Sequence, residues 1–166
     1  MLKKIIPWAA YITSVLISWK FCAGFWVVGP VFALCFLAAN YECVLSARSY
    51  PKHLIFILAS TLIYALVFLI ADKGWKFHQD SLDAVGGSLT GGVVLGSILM
   101  PFVHAKLFGI DLKTAGRVSL WLVISWYAVV LVSLIDEWAG VKFSIDYTLI
   151  GIILWQGIYF KRLKLS

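Results

Sequence analysis

HLIFILASTLIYALVFLIA, residues 53–71, runs through 19 positions without a charged side chain. A hydrocarbon core of about 30 Å takes roughly 20 helical residues to cross, so this stretch has the length and composition of a transmembrane helix. Lys52 bounds it on one side and Asp72 on the other. Working outward, apolar stretches of the same kind cover 84–107, 117–135 and 144–161. Towards the N-terminus, Ile5 to Asn40 is apolar except for Lys20 and is too long for one span. It reads as a hairpin, with helices over 5–22 and 29–47 and Pro30 in the first turn of the second, where a helix tolerates proline.

The fold class is therefore all-α: a polytopic integral membrane protein with six transmembrane helices, or five if the first stretch only lies in the interface. Composition agrees, with 62% hydrophobic residues and 13% charged among 166. A soluble chain of this size has no means of hiding so much apolar surface. The eight Trp include Trp8 near one boundary and Trp19, Trp26, Trp75 and Trp138 near the other, as interfacial belts require.

Charge then orients the spans. Assigning both termini and the turns at 48–52 and 106–117 to one side places ten of the fourteen Lys and Arg there. The opposite side keeps Lys20, Lys73, Lys76 and Lys142, together with six of the eight acids. Basic loops stay cytoplasmic, which gives N-in, C-in and an even number of spans. The net charge of +6 reports loops facing anionic lipid, with no nucleic-acid surface implied. Short loops favour the plasma (inner) membrane of a bacterium. The signal-like Lys3-Lys4 start has no clean cleavage site after it, so a retained first helix is expected.

One domain over 1–166 is expected, because no loop exceeds about a dozen residues and no linker composition interrupts the chain. No internal repeat is apparent, and six spans make about half of a large secondary transporter. A carrier of this size calls for a homodimer or a partner such as an ATPase subunit. Cys35 and Cys43 share a helix face but sit more than about 10 Å apart by helical rise, too far for a disulfide. No Cys/His spacing suits zinc, no metal site and no cofactor is expected, and no catalytic set is evident, so an enzyme is disfavoured.

Three constellations stand out. In 86–96, GGSLTGGVVLG, the residues Ser88, Gly92 and Gly96 recur every four positions. Such a stripe lets another backbone approach closely, so it is expected to pack helices. Asn40, Glu42, His104 and Gln156 fall at similar depth in the cytoplasmic third of three helices. Polar and above all ionisable groups within the membrane are costly to keep, so these four polar side chains are the candidate substrate-binding set, with Glu42 and His104 as a proton-coupled pair. The turn from His104 to Arg117 carries Lys106, Phe108, Lys113 and Arg117 as a candidate partner-docking surface. The expected function is a small-solute transporter or the membrane subunit of one. A non-catalytic scaffold acting through helix contacts is the rival class.

Overall fold

The computed structural model describes residues 2–20, 25–41, 50–77, 82–139 and 147–163. Side chains are described for 5–20, 27–41, 50–70, 90–136, 138, 147 and 149–163. The described residues form six helices: α1 Leu2–Lys20, α2 Phe25–Ala39, α3 Tyr50–Phe77, α4 Leu82–Phe108, α5 Leu112–Ala139 and α6 Tyr147–Arg162. Three of them carry stretches long and apolar enough to cross a membrane, Tyr50–Ile70, Thr90–Phe108 and Leu112–Asp136, and Val27–Ala39 is a shorter apolar helix. Helix is the form such sequences must take in lipid, because each backbone N–H and C=O then finds its partner within the segment.

Every helix packs on its neighbours in the chain, and α1 against α6 closes a ring. Neighbours alternate in direction. Ser18 meets Gln156, Phe36 meets Phe56, Gly92 meets Val67, and Trp126 meets Thr90. The described cations Lys52, Lys106, Lys113, Arg117, Lys161 and Arg162 consequently collect, exposed, at one end of the ring, and Lys20 is exposed at the C-terminal end of α1.

The ring is apolar outside and partly polar inside, the reverse of a soluble domain. Leu54, Leu58, Leu62 and Leu69 of α3 and Leu120, Ile124, Leu131 and Ile135 of α5 are exposed, while Ser14, Ser60, Ser97, His104, Ser119 and Gln156 are buried. A hydrocarbon solvent suits that distribution. The centre is aromatic: Phe32 and Phe36 from α2, Phe56 from α3 and Tyr159 from α6 are fully buried, with Met100 and Leu122 beside them.

Two expectations about local structure change. α2 begins at Phe25, so Pro30 lies inside the helix and not in its first turn. Its described part ends at Ala39, where the Asn40 N–H bonds the carbonyls of Phe36 and Leu37. Residues 42–49 of the expected second span lie outside the described residues. The turn between α4 and α5 is only Gly109 to Asp111. Gly109 adopts φ 73°, and the Ile110 N–H reaches back to the Ala105 carbonyl at 3.0 Å, ending α4 in a left-handed cap. Asp111 then caps α5, its Oδ2 accepting from the Thr114 N–H at 3.1 Å.

Candidate functional site

His104 sits where four helices converge. Its Nδ1 shares a 3.0 Å hydrogen bond with the Tyr159 hydroxyl, which also lies 3.5 Å from the Met100 carbonyl. Three phenylalanines enclose the imidazole: Phe36 at 4.7 Å between ring centroids, Phe108 at 4.9 Å and Phe56 at 5.3 Å, all roughly perpendicular to it. The ring has no solvent exposure, and its Nε2 has no hydrogen-bond partner among the described residues.

Nearer the opposite end, Gln156 spans the interior. Its Nε2 donates to Ser18 Oγ of α1 at 2.7 Å, and its side chain also lies against the Tyr64 hydroxyl of α3. Its Oε1 is buried without a partner among the described residues. Beside it, Trp155 stacks on Tyr159 and donates from Nε1 to Ser97 Oγ at 2.7 Å. Phe32 fills the space between these groups, touching Tyr64, Trp155 and Tyr159.

Serine hydroxyls divide into two kinds. Thr61, Ser97, Ser125 and Ser133 each donate to a carbonyl three or four residues back on their own helix, the usual way a hydroxyl is satisfied in lipid. Ser14, Ser60 and Ser119 are buried and make no such bond. Ser60 lies one turn from Phe56, which packs on His104, and one turn from Tyr64, which meets Gln156. Ser14 lies one turn from Ser18. Asp136 Oδ1 apart, which lies near the C-terminal end of α5 beside Tyr147, the unpartnered polar atoms come from α1, α3, α4, α5 and α6, in a band about two helical turns deep.

Of the four residues expected to bind substrate, His104 and Gln156 face this interior, joined through neighbouring residues of α6. Gln156 lies one turn farther from the basic end than His104. Asn40 donates its Nδ2 to the Phe36 carbonyl at 2.9 Å, and so reaches the site through the residue that packs on the imidazole. Glu42, and with it the expected Glu42–His104 pair, lies outside the described residues. Tyr159, Trp155 and the three serines were not singled out by the sequence. Their signal was weak, since aromatics and serines are common in spans and only the register of six helices brings these together.

The glycine stripe faces α3. A Cβ built on Gly92 would lie 2.9 Å from the Val67 carbonyl oxygen, and one on Gly96 would lie 3.0 Å from Val67 Cγ2. The side chain of Ser88 is outside the described set. At the α4–α5 turn, Lys106, Lys113 and Arg117 are exposed and Phe108 is half-buried. It turns inward, stacked on His53 and packed on Phe56 and His104. An aromatic residue one turn beyond a buried imidazole completes the core more readily than it faces water. Among the described residues no group of three or more His, Cys, Asp or Glu could hold a metal ion. No family model matches the chain, and no similar curated protein or solved structure was found.

Proposed function

We propose that the protein is a six-span, N-in/C-in protein of the bacterial plasma (inner) membrane that passes a small solute through the centre of its helix ring, alone or as the membrane subunit of a transport complex. The single observation that carries this reading is the interior band of unpartnered polar atoms, above all His104 Nε2 and Gln156 Oε1. Leaving a buried polar group unmatched costs about 1–3 kcal/mol, and a merely structural core has apolar residues of the same size to use instead. Held in place by Tyr159 and Ser18 on their other polar atoms, these two side chains present a fixed acceptor and a fixed ring nitrogen to an incoming molecule. The closure of α1 on α6 supports six spans over five.

The test is reconstitution of the purified full chain into liposomes and measurement of solute uptake, comparing wild type with His104→Phe. Uptake above that of protein-free vesicles, lost in the variant while the protein remains folded, supports the reading. Equal uptake by wild type and variant contradicts it.

An assembly role is the second reading, favoured by Gly91. It is exposed one position along from the packed stripe, and nothing lies within 4 Å of a Cβ built there. Under that reading Gly91→Leu disrupts an oligomer seen by crosslinking in native membranes, and His104→Phe leaves function intact.

A further inference from the structure

We propose that the interior band accepts an uncharged, hydrogen-bonding solute of a few heavy atoms, a small polyol or amide, and rejects ions. This inference rests on the transport reading above and specifies the class of molecule that reading leaves open. The unpartnered atoms of the band are Ser14 Oγ, Ser60 Oγ, Ser119 Oγ, Gln156 Oε1 and His104 Nε2, all on side chains with neutral forms. The one other buried unpartnered atom among the described residues, Asp136 Oδ1, lies outside the band near the C-terminal end of α5, where its partner Oδ2 accepts from the Tyr147 hydroxyl. Among the described residues every Lys, Arg, Asp and Glu lies near a helix end or in the α4–α5 turn; Lys20, two residues beyond Ser18, comes nearest to the band in depth but is exposed.

An ion in such surroundings would lose its hydration shell without meeting an opposite charge, a penalty that scattered hydroxyls do not repay. A polyol or amide loses much less on leaving water, and each of its donors and acceptors finds a match in a hydroxyl, an amide oxygen or a ring nitrogen. The walls fit the same class. Phe32, Phe36, Phe56 and Trp155 offer apolar faces to the C–H side of such a molecule. Size follows from packing: the rings of Phe36 and Phe56 lie in edge contact with the imidazole at 4.7 and 5.3 Å between centroids, so any solute must part them to reach Nε2, and the fewer its heavy atoms the less the core is displaced.

The test uses stopped-flow light scattering on proteoliposomes of the full chain under inward gradients of glycerol or urea. Parallel vesicles carry a potential-sensitive dye with a potassium gradient, or a trapped pH indicator. The expected result is faster glycerol or urea entry than in protein-free vesicles, with no potassium or proton flux. Gln156→Leu slows entry roughly tenfold, the rate equivalent of one hydrogen bond to the solute. Ser60→Ala, which removes one oxygen and disturbs packing least, slows it by a smaller factor. If potassium or protons cross in a His104-dependent manner while glycerol and urea do not, the band takes ions. That overturns this inference and leaves the transport reading standing. If no solute or ion crosses, both are overturned.

Discussion

Replacing Gly29 by alanine tests the packing of the ring at its tightest point. A Cβ at Gly29 would lie 2.6 Å from the Thr61 Cα and 3.1 Å from its amide nitrogen, so the obstruction is backbone and no rotamer change relieves it. Carbon atoms rest at about 3.5–4.0 Å, so α2 and α3 must separate locally by about 1 Å. Phe32 and Phe36, on the following turns of α2, would then lose contact with Tyr64 and Phe56. Overpacking of this kind costs about 2–3 kcal/mol. At roughly 2–4 °C per kcal/mol for a chain of this length, the midpoint falls by roughly 4–12 °C. Gly91→Ala is the internal control. It meets no neighbour and gains about 1 kcal/mol of helix propensity at most. Gly92→Ala falls between them, because its obstacle is the Val67 carbonyl. Gly96→Ala is milder, because its obstacle is a Val67 methyl that can turn aside. The assay is the fraction of monodisperse protein left after heating in mild detergent, read by size-exclusion chromatography. A Gly29→Ala protein as stable as Gly91→Ala would refute the assigned contact between α2 and α3.

Further outcomes are expected elsewhere in the ring. His104→Phe places a fourth phenyl ring in a phenyl cage and leaves Tyr159 its contact to Met100, so stability changes by less than about 1.5 kcal/mol while solute flux is lost. A purely structural His104 would show the opposite pattern. Gly151→Ala forces a Cβ to 2.9 Å from the Trp126 ring and lowers stability by about 1–2 kcal/mol. Adding Trp126→Phe, which withdraws the clashing ring edge, restores part of that loss, and thermal midpoints of the single and double variants check it. For topology, single-cysteine variants on a cysteine-free background report the two sides. A membrane-impermeant maleimide labels Lys20→Cys in intact cells and Lys161→Cys only after permeabilisation. The reverse pattern would invert the orientation.

The helices were legible in the sequence because their cause is local. HLIFILASTLIYALVFLIA lies within α3 whatever its neighbours, and the charges at its ends need no tertiary context. The start of α2 was less legible, since Pro30 signals a helix start only statistically and α2 extends back to Phe25. His104 and Gln156 stood out as polar residues in apolar runs, but nothing in the linear pattern named Tyr159, Ser18 or Ser97 as their partners. Those pairings depend on α6 closing the ring against α1, a contact between the two ends of the chain. The inward packing of Phe108 was hidden for the same reason. In sequence it sits among Lys106, Lys113 and Arg117 in a surface turn, and only the register of α4 against α3 turns it onto His53 and Phe56.

On the proposed reading the interior polar band is the site a solute occupies in passage. A crystal structure of the full chain grown in a lipid phase and soaked with glycerol tests it most directly. Density for the solute is expected within about 3 Å of His104 Nε2 or Gln156 Oε1. A core in which both atoms meet only phenylalanine rings or other side chains of the chain itself, with no solute density between them, would contradict it.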